Sequence, residues 1–315
     1  MNATTVLPDD PTLPGLAAIR VGGLARAVPA LGLDGGAVEL VLRAYQPGSH
    51  ATLEARAARR RFAVKAYADD PAPEAALYEA IAAGLVGDSR VPVPPLLARE
   101  RDLRLLVVAW LEGPTAHELL RRGQGERAGE LGARWLQRAA TLRVQVKLGP
   151  PFGAPQVLRR AGEWVAAFRA ADDSLGTAAS MLVGRLARTE PREEAPRLVH
   201  GSLHDRNILD VGGAPGVIDW QRFGQGPVEL EAGMFLAAVS RLGLMHDPLA
   251  DETARAEATF LAGAEDLLDE GAVAWHRAAG LMRLARRQLN QWKGDRVARA
   301  RALLGEAARL AEASG

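Results

Sequence analysis

The segment LVHGSLHDRNILDVGGAPGVIDW, residues 198–220, decides the fold, because it is the one strand-forming stretch in a helical half of the chain. Its pattern predicts a short strand, a loop from His200 to Asn207, a strand, a Gly-Gly-Ala-Pro turn and an apolar strand that ends at Asp219. Asn207 alone is typical of a turn, and Asp219 alone is typical of a cap at a strand exit. Neither residue is therefore decisive by itself.

The composition bounds the class of protein. A chain of 315 residues with 48% hydrophobic and 24% charged residues is ordinary for a globular protein of two lobes or two modest domains. The net charge of +1, without a basic stretch interleaved with aromatic residues, gives no indication of a nucleic-acid partner. The absence of cysteine excludes disulfides, thiolate metal sites and cysteine nucleophiles.

No part of the sequence is typical of a secreted or membrane protein. The first ten residues, MNATTVLPDD, have neither a basic region nor an apolar run, so no secretory signal is visible. The longest apolar stretch, LRLLVVAWL from Leu103, is too short to span a bilayer and suits a buried strand. We therefore expect a cytoplasmic protein with no membrane partner.

The first third of the chain predicts a small antiparallel sheet. After residues 1–36, which favour short helices and turns, apolar or alternating stretches are separated by the turns QPGSH and ARR. A proline followed by an acid and by apolar residues at helical spacing predicts a helix that begins near Ala72. This part therefore contains about five strands with one helix after the third. The predicted strands cover 38–45, 51–57, 61–67, an edge strand within 90–100, and 103–110.

Beyond a Gly-Pro turn at residues 113–114, helical periodicity dominates. We therefore expect an α+β fold with a β-rich N-terminal lobe over residues 1–110 and a larger α-rich C-terminal lobe over residues 111–315. The predicted helices cover 126–147, 156–187, 230–244, 251–268, 272–292 and 295–313.

Four features occur in one order along the chain: Lys65 at the end of the third strand, an acid in the next helix, the loop from His200 to Asn207 (the opening loop), and Asp219. Phosphoryl transfer uses such groups, because an ammonium can contact nucleotide phosphates, a carboxylate can orient it, and amide and carboxylate oxygens suit Mg²⁺. Lysine is rare here, with only Lys65, Lys147 and Lys293 among 39 basic residues, which favours a specific role for Lys65. The shared order favours a phosphotransferase over four unrelated structural residues.

The fragments YQPGSHATLEA, FAVKAY, LVVAWLEG, HGSLHDRNIL and VIDWQRFGQGPVELEAG follow that order over nearly the whole chain. In this combination the sequence resembles the aminoglycoside phosphotransferase and choline kinase-like family, a branch of the protein-kinase-like fold. The resemblance implies a bilobal protein that binds ATP or GTP with Mg²⁺. It also implies transfer of the γ-phosphate to a hydroxyl of a small molecule, such as an antibiotic or another specialised metabolite.

The resemblance implies roles for the nucleotide-binding residues. Lys65 would bind the nucleotide phosphates, and Glu74 would pair with it, although Glu79 competes for that position. Gly48 in the QPGSH turn would let the loop backbone approach the phosphates. The segment from Ala109 to Leu111 would form the hinge, whose backbone N–H and C=O groups contact the adenine edge.

The same resemblance assigns the residues of the opening loop. Asn207 and Asp219 would hold Mg²⁺. His200 would pack and hydrogen-bond the loop and would not act as a general base, and His204 would do likewise or touch substrate. Ser202 stands where the family has the aspartate that accepts or orients the proton of the substrate hydroxyl.

Ser202 leaves three interpretations open. A serine hydroxyl is a very weak base without a partner, and a general base contributes roughly 10²–10⁴ in rate, so its loss would slow transfer without preventing it. Either Asp205 or an acid from the C-terminal helices replaces the base, or the protein binds nucleotide and transfers slowly or not at all. The third interpretation is that Ser202 was introduced to trap a complex.

The acceptor is the least determined part of the function. An acidic stretch can attract a cationic acceptor or can form a solvated helix face. The basic helix that follows it, with Arg283, Arg286 and Arg287, can pair with that stretch or can face an anionic acceptor. A nucleotide-binding pseudokinase with a protein partner, or an enzyme that phosphorylates a peptide, remains an alternative. The acids of the stretch are Asp247, Asp251, Glu252, Glu257, Glu265, Asp266, Asp269 and Glu270.

Overall fold

The computed structural model describes residues 6–33, 37–83, 93–141, 149–193, 196–290 and 295–313. Lys147 and Lys293 lie outside the described residues, as do residues 142–147 of the predicted helix over 126–147. The chain divides into two units, Met1–Glu112 and Gly113–Gly315.

The first unit is built on a five-stranded antiparallel sheet with the strand order β1-β2-β3-β5-β4. Helix α1, Pro14–Ala27, precedes the sheet, and α2, Ala72–Ala82, follows β3. The predicted sheet and its inserted helix are confirmed. The range of α1 contains two short helices that meet at a kink at Gly23, and a 3-10 helix follows at Pro29–Leu31, in agreement with the predicted short helices and turns. The strands are β1 Val38–Gln46, β2 His50–Ala57, β3 Arg60–Tyr67, β4 Leu96–Glu100 and β5 Leu105–Ala109.

One face of this sheet carries the hydrophobic core of the first unit. Leu53, Val64 and Val107 pair across β2, β3 and β5, and they pack in one buried cluster with Leu16 of α1. Because successive side chains of a strand point to opposite faces, Lys65 lies on the other face from Val64. The packing of the core thereby fixes the face on which the lysine is presented.

Helices dominate the second unit, and none of those in the described ranges is long and apolar enough to cross a membrane. Two small antiparallel pairs of strands accompany them. The unit confirms the predicted α+β class. The helices are α3 Ala116–Arg121, α4 Gly125–Thr141, α5 Ala154–Ala171, α6 Asp173–Arg188, α7 Val228–Met245, α8 Ala250–Ala264, α9 Glu270–Gln288 and α10 Arg296–Ala313. The strands are β6 Arg197–Val199 with β9 Gly224–Gly226, and β7 Ile208–Val211 with β8 Ala214–Val217.

The second unit differs from the sequence prediction in three places. The predicted helix over 156–187 is two helices, because Asp172 has extended backbone and its carboxylate accepts the N–H of Leu175 at the start of α6. The Gly-Pro turn leads into the unpredicted helix α3, which Thr115 and Glu118 begin with a capping box. Strand β9 was also not predicted, because its three residues, GQG, carry no apolar pattern.

Helices α4 and α8 approach each other through glycines. A Cβ added at Gly129 would lie 2.3 Å from the backbone oxygen of Ala256, and one at Gly125 would lie 2.2 Å from that of Glu252. One turn further along α4, a Cβ at Gly132 would lie 2.8 Å from Phe260. The contact surface between the two helices therefore leaves no room for a side chain along this edge of α4.

We predict opposite effects for two glycine-to-alanine substitutions in helix interiors. Gly129→Ala should destabilise the protein by about 1–3 kcal/mol, because the new methyl group overpacks a backbone contact. At Gly162 on α5, no atom of the described part of the chain lies within 4 Å of the methyl group that Gly162→Ala adds. This substitution should stabilise the protein by about 0.5–1 kcal/mol through helix propensity alone. Chemical denaturation measures both values, and shifts of the same sign would contradict the close packing.

Candidate functional site

A buried ion pair lies on the Lys65 face of the sheet in the first unit. The Nζ atom of Lys65 is 2.6 Å from Oε1 of Glu74, which lies in the first turn of α2, and both side chains are buried. Glu79 is exposed. Of the two acids that the sequence left open, Glu74 is therefore the one that contacts the lysine.

Two tyrosines, neither of them among the predicted site residues, donate hydrogen bonds to the carboxylate of Glu74. The hydroxyl of Tyr67 donates to Oε2 of Glu74 at 2.6 Å, and that of Tyr78 donates to Oε1 at 3.3 Å. Burial raises the pKa of Tyr67 well above its ordinary value. The charge of Lys65 acts to lower this pKa and the charge of Glu74 acts to raise it, so the net effect leaves Tyr67 a neutral donor. Their spacing was the available signal, since Tyr67 is two residues from Lys65 on the strand and Tyr78 is four residues from Glu74 on the helix.

The turn between β1 and β2 is tied to the N-terminal segment. Gly48, which has a φ of 69°, donates its N–H to Oδ2 of Asp10 at 2.9 Å, and the hydroxyl of Tyr45 donates to the same oxygen at 3.1 Å. The Gly48 N–H and a hydrogen bond from Thr12 lower the pKa of Asp10 to about 2. The N–H of Gly48 is therefore already engaged within the first unit.

The expected hinge segment is likewise engaged in part. Ala109 donates its N–H to the carbonyl of Pro95 at 2.9 Å, and Trp110 donates its N–H to the carbonyl of Arg61 at 3.3 Å. Leu111, the next residue, is half-buried. Of the three residues of the segment, two therefore use their N–H groups inside the sheet.

In the second unit, the hairpin β7–β8 brings Asn207 close to Asp219. Ile208 pairs with Val217, and the N–H of Ile218 donates to the carbonyl of Asn207 at 3.0 Å. Asp219 follows directly, is exposed and has a φ of 67°, in the left-handed region. An amide and a carboxylate are thus held at the same end of one hairpin.

This pair of oxygen donors suits Mg²⁺ better than a metal that needs a full protein cage. Among the described residues, no group of three or more His, Cys, Asp or Glu side chains is arranged to hold a metal. Mg²⁺ keeps several waters and is usually held by one or two carboxylates together with substrate phosphates. The donor chemistry of Asn207 and Asp219 therefore fits a phosphate-bound magnesium ion.

Ser202 and His200 form a hydrogen-bonded pair inside the loop. Nε2 of His200 donates to the carbonyl of Ile218 at 2.9 Å, so Nδ1 is the acceptor of the neutral ring. The hydroxyl of Ser202 lies 3.3 Å from that Nδ1 and can donate to it. His200 is fully buried, whereas Ser202 is half-buried.

Asp205 is occupied in holding the loop to α3. Its Oδ2 accepts the Nδ1–H of His117 at 2.6 Å, and both side chains are buried. Nε2 of His117 faces the guanidinium of Arg206 at 3.2 Å, and since a guanidinium only donates, Nδ1 carries the ring proton. Burial alone would raise the pKa of Asp205, but the hydrogen bond from His117 and the positive charge around it, that of Arg241 included, together lower the pKa. The sequence offered no signal for His117.

Glu231 of α7 forms a hydrogen bond to the backbone of the loop. Its Oε1 accepts the N–H of Gly201 at 2.9 Å, and its buried Oε2 has no hydrogen-bond partner within the described residues. Burial raises the pKa of Glu231 to about 7, although the N–H groups of Gly201 and His200 act in the opposite direction. Burial also lowers the pKa of His204 to about 4, so that ring is neutral at pH 7.

Comparison with known proteins gives a family match over most of the chain. The sequence model of the APH family, described as the phosphotransferase enzyme family, matches residues 23–281. A comparison with curated protein sequences gives no match.

Several solved structures share the fold. A thermostable mutant of aminoglycoside phosphotransferase APH(4)-Ia, in a ternary complex with ADP and hygromycin B, is 15% identical, with a TM-score of 0.61 over 88% of this chain and 94% of that chain. Ethanolamine kinase from Plasmodium vivax is 10% identical, with a TM-score of 0.60 over 99% and 94%. Aminoglycoside-3'-phosphotransferase of type VIII is 22% identical, with a TM-score of 0.52 over 79% and 95%. This likeness confirms the predicted protein-kinase-like fold.

The raised pKa of Glu231 predicts a pH-dependent loss of stability. Since the folded protein holds this proton up to pH about 7 and the unfolded chain releases it near 4.5, stability falls as the pH rises between these values. At about 1.4 kcal/mol per pH unit, the fall amounts to about 3 kcal/mol. Glu231→Gln keeps an acceptor for Gly201 and does not titrate. The variant should therefore gain about 3 kcal/mol relative to the parent between pH 4.5 and 8, measured by urea unfolding, and parallel profiles would contradict the raised pKa.

Proposed function

Because this chain belongs to the phosphotransferase enzyme family, we propose that it transfers the γ-phosphate of ATP or GTP to a hydroxyl group of a small molecule. The observation that carries the proposal is the buried pair of Lys65 and Glu74. Burying an ammonium and a carboxylate costs desolvation free energy, so a buried ion pair is weak evidence for a purely stabilising role. Binding of an anionic ligand, such as a nucleotide phosphate, gives this ammonium a function. The ADP in a solved structure of the same fold also supports a nucleotide ligand.

In this proposal the first unit binds the nucleotide. Lys65 contacts the phosphates, and Glu74, held in turn by Tyr67, fixes the position of the ammonium. Gly48 contributes close approach of its backbone and not its N–H, which Asp10 already uses. Since the N–H of Ala109 is also engaged, we assign the contact with the base edge to Leu111.

In the second unit, Asn207 and Asp219 would hold Mg²⁺. When bound, the ion would neutralise charge on the phosphate oxygens. The supporting observation is the hydrogen bond between Ile218 and Asn207, which keeps the amide and the carboxylate at one end of the hairpin. The left-handed backbone at Asp219 is a further sign, because such conformations concentrate at functional sites.

Ser202 and His200 supply a path for the proton of the acceptor. As the new P–O bond forms, the bond between the γ-phosphorus and the bridging oxygen breaks, and the nucleoside diphosphate leaves with that oxygen. The acceptor hydroxyl passes its proton to Oγ of Ser202, while Ser202 passes its own proton to Nδ1 of His200. The resulting imidazolium keeps its Nε2–H bond to the carbonyl of Ile218. Asp205 is a poor candidate for the base, because its carboxylate is buried against His117. We assign it a structural role.

The first test removes the proposed nucleotide and metal contacts. Lys65→Ala and Asp219→Ala should each lower the rate of phosphate transfer by at least about 100-fold, the scale of losing one electrostatic contact to developing charge. Glu74→Gln should weaken Mg·ATP binding, whereas Glu79→Gln, an exposed acid on the same helix, is the matched control and should leave it unchanged. Transfer is measured with radiolabelled ATP and a panel of alcohols.

Nucleotide binding is measured separately by thermal unfolding. A ligand at 100 times its dissociation constant stabilises the native state by about 2.7 kcal/mol, so Mg·ATP or Mg·GTP should raise the melting temperature. If neither nucleotide stabilises the chain, the proposed function is wrong.

A second candidate, a nucleotide-binding pseudokinase, is favoured by Ser202 and is tested at that residue. With the serine acting as a relay, Ser202→Ala should lower kcat by roughly 10²-fold, the lower end of what a general base contributes. A different result identifies the pseudokinase: Ser202→Ala has no effect, and Ser202→Asp raises a negligible parental rate by orders of magnitude.

A further inference from the structure

A cavity of about 170 Å³ in the second unit lies between the loop, α7 and α9. Its lining includes the apolar residues Met234, Ala237 and Leu284, and also His204, which is two residues from Ser202 in the sequence. Ligand pockets for a whole drug-sized molecule usually measure about 300–1,000 Å³. This cavity therefore suits one functional group of a ligand.

Four arginines line the cavity: Arg206, Arg241, Arg283 and Arg287. Among the residues that the structure describes, none forms an ion pair with Arg241, Arg283 or Arg287. The Nε atom of Arg283 is buried and has no hydrogen-bond partner within the described ranges. Four guanidinium groups thus share a pocket whose lining contains one carboxylate, that of Asp205.

Two acids act on these arginines and offset part of their charge. Asp205 is the one carboxylate among the described residues that line the cavity, and it also accepts the N–H of His117. Glu231 is buried and accepts the N–H of Gly201. Burial, together with the charge of Arg287, lowers the pKa of Arg283 to about 10, which still leaves it protonated at pH 7. The pocket therefore carries an unbalanced positive charge.

The acidic stretch that suggested a cationic acceptor is partly neutralised inside the second unit. Glu257 forms an ion pair with Arg277 of α9, and Glu252 pairs with Arg255 on its own helix. Neither acid lines the arginine cavity. The other acids of the stretch are likewise absent from the lining, so the stretch supplies no negative charge to the wall of this cavity.

We propose that this arginine pocket binds an anionic group, a carboxylate or a phosphate, carried by the acceptor alcohol. This inference rests on the proposed function and names its class of substrate. Guanidinium groups bind both anions through paired, charge-assisted hydrogen bonds, and an anion relieves the repulsion among the arginines. Because His204 belongs both to the pocket and to the loop, an acceptor anchored there has its hydroxyl near Ser202.

The first experiment measures binding without turnover. Thermal unfolding of the full chain is followed with inorganic phosphate and, separately, with glycolate. Either anion should raise the melting temperature of the parent and should have no such effect on Arg283→Gln. Arg286→Gln is the matched control, since Arg286 lies on the same helix, bonds to Asn290 and does not line the cavity. Without added anion, Arg283→Gln should melt at or above the parental temperature, because it removes an unpaired, poorly solvated cation.

Stabilisation by phosphate or glycolate that persists unchanged in Arg283→Gln, or that is absent from the parent, would overturn the proposal. Lower stability of Arg283→Gln in anion-free buffer would also count against it, since the arginine would then have a structural role.

The second experiment compares acceptors with Mg·ATP: hydroxycarboxylates, sugar phosphates and amino alcohols. The anionic acceptors should have the lower KM, and which of the two anions is preferred identifies its chemistry. Arg283→Gln should raise that KM by about 10- to 100-fold, the scale of one charged hydrogen bond, and leave the KM for Mg·ATP unchanged. If amino alcohols are preferred, the pocket assignment is wrong while the phosphotransferase function stands. If no nucleotide binds, the proposed function fails separately.

Discussion

The hydrogen bond from the N–H of Ile218 to the carbonyl of Asn207 is the contact on which the rest of the second-unit site depends. It closes the end of the β7–β8 hairpin, and so it sets where Asp219 emerges. The carbonyl of Ile218 accepts the Nε2–H of His200, which fixes the tautomer that Ser202 meets. The backbone of Ile218 thus positions both the Asn207–Asp219 pair and the two side chains of the proposed proton path, and its own side chain takes no part in this.

Buried charge is treated differently in the two units. In the first unit each buried acid is saturated with donors: Glu74 has Lys65 and two tyrosines, and Glu54 has three arginines that bring its pKa to about 2 despite its burial. Among the described residues of the second unit, the buried acid Glu231 keeps one carboxylate oxygen without a hydrogen-bond partner. Groups that fold a protein are normally satisfied, whereas groups that await a ligand need not be. Glu231 contacts Gly201, in the loop that we propose receives the acceptor.

The sequence predicted the sheet, its inserted helix and most helices, because apolar periodicity and proline or glycine punctuation report local structure directly. It could also pair Lys65 with a short list of acids, since helix spacing limits which residues face a strand. It could not predict His117, because nothing in the sequence relates it to Asp205, 88 residues away. The arginine pocket was equally hidden. Whether a basic helix meets an acidic neighbour or a cavity depends on tertiary packing and not on any pattern along the chain.

The tie between Asp10 and the β1–β2 turn has a practical consequence. Because its pKa is about 2, this carboxylate remains ionised throughout the range in which proteins are handled, so acidity will not loosen it. Truncation would break this contact. A recombinant product that begins after residue 10, or cleavage by a protease within the first dozen residues, would remove the acceptor of the Gly48 N–H while residues 198–220 stay intact. Preparations of this protein should therefore be checked for an intact amino end before their kinetics are compared.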